Sequence, residues 1–260
     1  MKNRARWLTL FLGIFMSLTC LCRSHELTAT ELGRLEQGNI IIKNKKIAGA
    51  PWPELTYFYI IKASPEECAA ILSNYSLQKN FTPDLTRVEI KKEISPTHKI
   101  VTFCTDLPWP AADDITVTDN QLSLSIEGDY RIEWKMVEST SSKKNHGSAT
   151  FIPHGDITLY RYQTFVHPRS ALAGMVKSRM IKKVKNAVFS FAAYVESLRA
   201  KNHPLLKKSI IQMRKALEWK GLREERSSPS GGEGESIIQT SFYKRPGRHP
   251  INRKFYTHDR

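Results

Sequence analysis

SALAGMVKSRMIKKVKNAVFSFAAYVESLR, residues 170–199, is the stretch whose reading decides the fold. Leu172, Val176, Met180, Val184, Val188, Phe191, Val195 and Leu198 recur every three or four residues, and Lys177, Arg179, Lys182, Lys183 and Lys185 fill many of the gaps. That spacing predicts one amphipathic helix of roughly seven turns, long enough to cross a small domain. Before it, from Tyr57 to His167, the period is mostly two. Arg131, Glu133 and Lys135 alternate with Tyr130, Ile132, Trp134 and Met136, the pattern of a strand with one wet and one dry face. A long helix after a run of antiparallel strands places its apolar stripe across their concave face. The expected class is therefore α+β, a curved antiparallel sheet wrapped around a long C-terminal helix.

Working outward, Tyr57–Ala63 predicts a strand that runs straight into Ser64-Pro65-Glu66-Glu67. Serine at the cap, proline at the first helical position and Glu67 three residues on form a capping-box signature. Glu26–Glu36 reads as a short helix and Ile40–Lys43 as a first strand. Strands follow around Val88–Ile94, Ile100–Thr105, Ile115–Val117, Tyr130–Met136, Ser148–Ile152 and Ile157–Val166. Leu122–Ile126 either continues the strand of Val117 or pairs back on it. His154-Gly155-Asp156 is the expected hairpin turn. Beyond Leu198, Leu206, Ile210, Met213 and Leu217 predict a second, basic helix, and Ser-Gly-Glu-rich sequence after Arg226 reads as a linker with a disordered basic tail. The implied divisions are a targeting or anchoring segment (1–24), a main domain (25–200), a basic amphipathic helix (201–226) and a tail (227–260).

The net charge of +15 suggests nucleic acid until it is located. Residues 1–23 hold four basic and no acidic residues, and 199–260 hold fifteen basic and six acidic, which leaves the main domain nearly neutral. A basic stripe on the fold is therefore not expected, and nucleic acid is not the expected partner. Lys2, Arg4 and Arg6 before the apolar run Trp7–Leu18 resemble an export signal. Cleavage after Cys22 or Ser24 is the preferred reading, beside a retained anchor and a lipid-modified Cys20. Export to the periplasm or outside the cell is the expectation. Cys68 and Cys104 read as free, buried thiols, and no Cys/His spacing predicts a metal or cofactor site.

Three segments resemble the START/Bet v 1-like (SRPBCC) superfamily and its helix-grip fold. Lys62–Glu67 with Ile71–Tyr75 and Pro83 is similar to that family's strand-helix opening. Leu107-Pro108-Trp109-Pro110-Ala111-Ala112-Asp113 resembles its Pro-Trp-Pro segment, and Tyr160–Pro168 with the long helix resembles its close. START-type members often carry an arginine after the aspartate, where this chain has Asp114. The resemblance implies one hydrophobic ligand (a sterol, phospholipid, ceramide, quinone or polyketide) held between sheet and helix.

The expected lining is Phe103, Trp109, Trp134, Met136, Tyr160, Tyr162 and Val166 from strands and loop, facing Val176, Met180, Val184 and Val188. Tyr160 and Tyr162 carry the most information, because buried hydroxyls need partners. Packing as ordinary core would give each of these residues the same pattern. His98, His146, His154 and His167 read as exposed, and adjacent Asp113 and Asp114 fall on opposite strand faces. On the second helix, Lys207, Lys208, Arg214 and Lys215 would touch an anionic membrane surface, unless that helix simply packs on the domain with its basic side in water. Two alternatives stand beside the lipid carrier. One is a cyclase/dehydratase-like enzyme using Tyr160, Tyr162 or Asp106, and the other is an interaction protein acting through its basic tail.

Overall fold

A computed structural model describes residues 26–106, 113–170 and 173–227. The targeting segment 1–24, the Pro-Trp-Pro segment with Trp109, Leu172 and the tail after Ser227 lie outside the described residues.

The chain opens with helix α1 (Ala29–Glu36), begun by a capping box between Thr28 and Glu31. Strands β1 (Ile41–Lys45) and β2 (Glu54–Ile61) follow. Helix α2 (Pro65–Leu72) starts at the Ser64/Glu67 capping box that its sequence predicts, and a 3₁₀ turn spans Tyr75–Asn80. Six strands come next: β3 (Leu85–Ser95), β4 (His98–Thr105), β5 (Asp114–Leu124), β6 (Tyr130–Ser139), β7 (Ser142–His154) and β8 (Ile157–Pro168). Helices α3 (Ala173–Ala200) and α4 (Pro204–Ser227) end the described chain.

All strands join one antiparallel sheet in the order β1-β2-β8-β7-β6-β5-β4-β3. The β2–β8 pairing, Leu55↔Thr164 through Ile61↔Thr158, joins the first strands to the last. Because side chains alternate, register assigns the faces. Tyr57, Tyr162, Ala149 and Ile132 stand opposite one another in turn across four strands, so the even positions of β6 and β8 share one face. That concave face takes α2 and the C-terminal half of α3, around Phe151, Tyr160, Phe191, Val195 and Leu198. The outer face receives α1, whose Leu32 and Leu35 pack on Ile41, Phe58, Ile60 and Leu159.

Two expectations resolve here. β5 is one continuous strand, so Leu122 and Leu124 extend the strand of Val117 rather than pairing back on it. β7 begins at Ser142, six residues before its predicted start. Lys143, Lys144, Asn145 and His146 carry no apolar alternation, yet pairing with Phe165–His167 of β8 holds them in the sheet.

Asp114, at the position where the START-type arginine would stand, has a structural role. Its carboxylate accepts hydrogen bonds from the hydroxyls of Thr116, Ser139 and Thr140 and from the backbone N–H of Ser141, at 2.7–3.2 Å. It fastens the start of β5 to the β6–β7 turn. Truncating it leaves several donors unpaired, and hydrogen bonds to an ionised group stabilise by about 1.5–3 kcal/mol. Asp114→Ala should lower unfolding free energy by about 2–3 kcal/mol in a chemical denaturation titration; a change below experimental scatter would show the turn holds without it.

Candidate functional site

The concave face divides into an end of fully buried side chains and an end of half-buried ones. At the fully buried end Tyr160 stacks on Phe151 with ring centroids 5.0 Å apart and meets Phe191 of α3 at 5.4 Å. Phe81 closes the cluster against Phe191 at 5.2 Å. Tyr160 keeps only 2% of its surface. It is therefore core rather than the ligand-facing residue that the sequence suggested, because Phe191 occupies the space in front of it. Val188 is likewise packed into this cluster.

Toward the other end the same face carries Tyr162, Trp134, Met136, Val166 and Phe103, all half-buried. Trp134 stacks on Tyr162 at 5.3 Å and its indole N–H donates to Asn145 Oδ1 at 3.3 Å. Its ring lies over Gly147, where an added Cβ would come within 2.3 Å of it. A glycine in the middle of β7 is what lets the indole lie flat on the sheet. Phe103 meets Tyr75 edge-on at 6.4 Å.

Above these residues lies the N-terminal half of α3, and no side chain from Gly174 to Ala187 is fully buried. The packed row of the helix is Ile181, Val184, Val188, Phe191, Val195 and Leu198, not the row through Val176 and Met180. Steps of four residues each advance about 40° around a helix, so a stripe read as 176, 180, 184, 188 winds away from the sheet. Val176 and Met180 are accordingly half-exposed, at the side of the helix, while Val184 packs as expected.

Two contacts hold this half of α3 in place. On one side the Tyr57 hydroxyl donates to the carbonyl of Ile181 at 3.2 Å. On the other, Lys183 Nζ pairs with Asp84 at 2.9 Å and donates to the Asp106 carbonyl at 3.2 Å. Asp84 has φ of +60° and its own carbonyl accepts the Asp106 N–H at 2.9 Å, so the start of β3, the end of β4 and α3 meet in one clasp. Sequence reading missed Tyr57, Ile181, Lys183 and Asp84. Tyr57 was visible only as the first residue of a predicted strand, and the clasp joins residues about a hundred positions apart.

Two cavities open elsewhere. One of about 450 Å³ lies between the end of α2, the β3–β4 tip and α4, bordered by Tyr75, Ile90, Leu122 and Met213. Another of about 470 Å³ lies on the outer sheet face around Asp119, Arg131, Glu133 and His146. Of the expected ligand-binding residues only Trp134 borders either. Under the N-terminal half of α3, Ile181 and Val184 pack with Trp134 and Tyr162 against the core, while Met136, Val166 and Phe103 are half-buried.

The tyrosine hydroxyls are poor acids here. Burial pushes Tyr57 and Tyr160 far above 10, and pushes Tyr162 up to about 12 despite a hydrogen bond with Thr164. Asp106 is exposed, and of the other thiols and imidazoles, Cys68 is buried against Thr158 and pushed up to about 12 by desolvation. Cys104 is half-exposed beside Arg87, so only one of the two thiols is buried. His98 is not free in solvent as expected but is bonded to Asp119 at 2.5 Å, since both sit on the outer face of neighbouring strands. Among the described residues no group of His, Cys, Asp and Glu is placed to hold a metal ion.

Helix α4 packs Leu206, Ser209 and Met213 into the domain. Its apolar face is therefore occupied, and Arg214 is engaged by Glu66 in a two-pronged ion pair at 2.5 and 2.6 Å. Lys207, Lys208 and Lys215 remain exposed around Ile211. Among the described residues no helix is long and apolar enough to cross a membrane.

No family model and no curated protein matches the chain. Solved structures do. A STAR-related lipid transfer protein fragment from Xanthomonas axonopodis superposes with a TM-score of 0.55 at 15% identity, covering 60% of this chain and 93% of that one. Human StAR-related lipid transfer protein 5 gives 0.53 at 15% identity, covering 62% and 84%. The lipid transfer and protein localization domain of human StarD13 gives 0.52 at 10% identity, covering 65% and 97%.

The buried hydroxyls set a pH limit. Each raised pKa means the folded state keeps a proton that the unfolded chain releases near 10, so this stabilisation is complete below pH 10 and is lost as pH climbs toward 12. The melting temperature should fall above pH 10, with tyrosinate absorbance from the buried rings appearing at unfolding and not before; Tyr162→Phe should soften that fall. Reversible ionisation of all tyrosines in the folded protein would refute this.

Proposed function

We propose, from the premise that the chain has the START-type helix-grip fold, that it holds one hydrophobic molecule, a lipid, between the sheet and α3. The observation that carries the reading is the division of α3. Every fully buried side chain of the helix lies in its C-terminal half, while none from Gly174 to Ala187 is fully buried and the facing Tyr162, Trp134, Met136, Val166 and Phe103 are half-buried, the end at which a ligand would be taken in. The three structures compared above are described as lipid transfer proteins or domains, which supports the ligand class.

Burial is the mechanism. Each methylene taken out of water contributes about 0.8 kcal/mol, so an acyl chain needs no reacting group to be retained, and the costs of immobilising it set the net affinity. Admission requires α3 to lift from the sheet, which means releasing the Lys183–Asp84–Asp106 clasp while the Phe191 end stays packed. Export and transfer between membranes complete the reading, with 1–24 as the targeting segment. A cyclase or dehydratase on the same fold is the weaker reading: Tyr160 is core, Tyr162 is held protonated far past neutral pH, and Asp106 is exposed.

The test is native mass spectrometry of the full chain incubated with mixed lipid extract, followed by organic extraction. A bound hydrophobic molecule is expected. Trp134→Ala should weaken its retention about tenfold, the order expected for losing one buried aromatic wall, while Trp134→Phe keeps most of it. No hydrophobic adduct from any extract would overturn the proposal.

A further inference from the structure

The turn after α3 decides where α4 goes. Asn202 adopts φ of +47°, and the N–H groups of Asn202 and His203 bond back to the carbonyls of Arg199 and Leu198 at 2.9 Å, a left-handed close of the helix. Pro204 then opens α4, which runs back past the end of α2. Asn74 donates to the Ser209 hydroxyl at 3.2 Å, and Arg214 is held by Glu66. Leu206, Ser209 and Met213 bury themselves in this contact without closing it. Between the end of α2, the β3–β4 tip and α4 remains the cavity of about 450 Å³, inside the range of about 300–1,000 Å³ that small-molecule sites occupy. None of Phe103, Trp134, Met136, Tyr162 and Val166 borders it.

The walls of this cavity differ in chemistry. Ala70, Tyr75, Leu122 and Met213 are buried and form its inner side. Burial pushes the Tyr75 hydroxyl up, so that side carries no charge at neutral pH. The outer side is polar. Ser76 donates to Asn74 Oδ1 at 2.7 Å and Asn74 to Ser209, so a hydrogen-bonded row crosses from α2 to α4. Lys99 is balanced by Glu93 at 3.1 Å. Lys215 stands exposed on the rim with no ion pair among the described residues. The lining therefore holds an apolar wall and one uncompensated positive charge. From this arrangement we infer that the cavity under α4 binds a small organic acid, a single carboxylate on a compact apolar body. The carboxylate meets Lys215 and the body lies on Tyr75, Leu122 and Met213. Charge complementarity selects this class: a cation is repelled, and a neutral molecule leaves Lys215 unanswered. The site stands apart from the one under α3, so neither reading rests on the other.

The test is a titration of the full chain, labelled at its methionine methyl groups, with 3-phenylpropionate, followed by NMR. Met213 borders this cavity, whereas Met136, Met175 and Met180 lie on β6 and α3. The Met213 signal should shift and saturate with a Kd on the order of 1 mM or tighter, while the other three stay in place. Lys215→Ala should weaken binding about fivefold, the effect of losing a part-exposed ion pair, and added salt should weaken it in the parent chain. The amide 3-phenylpropionamide keeps the apolar body without the charge. It should bind about fivefold more weakly than the acid and be insensitive to Lys215→Ala. Ala216→Phe, which places a ring in the cavity from α4, should abolish the Met213 shift. An unchanged melting temperature checks the fold of each variant, and if Ala216→Phe unfolds, the exposed Lys215→Ala and the amide decide. No Met213 shift at millimolar acid, equal binding of acid and amide, or no effect of Lys215→Ala would overturn the inference. So would movement of Met136 and Met180 in place of Met213, which puts the acid under α3. Lipid retention by the chain is read separately, so either site can fail while the other stands.

Discussion

Everything in this fold depends on the insertion of Phe191 into the aromatic concavity of the sheet. Its ring meets Tyr160, Phe151 and Phe81 at 5.2–5.9 Å, and each of those partners comes from a different element. One side chain thus ties α3 to β7, β8 and the turn after α2. Aromatic pairs at such separations add about 0.5–1.5 kcal/mol each beyond the area they bury. With Val188, Val195 and Leu198 in the same cluster, the C-terminal half of α3 carries the fully buried contacts, and Ile181 and Val184 of the other half pack at its margin.

The second constraint is polar and acts on the N-terminal half of α3. Tyr57 and Lys183 grip α3 from opposite sides, two residues apart in the helix. These contacts differ in kind from the aromatic anchor. A hydroxyl donating to a helix carbonyl and a part-exposed ion pair contribute on the order of 1 kcal/mol each, against several for the buried rings. The C-terminal half of α3 is therefore the more strongly held of the two.

How much of this was legible in the sequence depends on the range of the interaction. The capping box at Ser64 and Glu67, the alternation through Tyr130–Met136 and the turn at Gly155 are local, and the chain folds there as its residues dictate. The early half of β7 was not legible, because its Lys-Lys-Asn-His run is strand only by virtue of pairing with β8. Among site residues, Trp134, Met136, Tyr162 and Val166 were assigned to the correct face by parity alone. Val176 and Met180 were not, since apolarity at four-residue steps looks like a stripe until its rotation is followed over several turns. The Lys183–Asp84 clasp leaves no pattern in either local segment. Trp109, expected at the mouth, lies outside the described residues.

The outer strands show how the exposed rim of the sheet is guarded against pairing with another strand. β3 is an edge of eleven residues, with Ile90 and Ile94 partly in solvent, a shape that invites pairing with another chain. Arg87, Glu89, Lys91, Lys92 and Glu93 interrupt it, and its register against β4 shifts three times. Irregularities of this kind twist an edge out of plane, so a second strand could not follow it for long. The same irregularity has a consequence inside. The shift between Ile90 and Lys92 turns Glu93 onto the concave side, where it pairs with Lys99 at 3.1 Å beside the cavity under α4. The protection of the edge and the polarity of that end of the sheet are therefore one feature of backbone geometry. The concave face is thus polar at the β3–β4 end and aromatic at the end covered by α3.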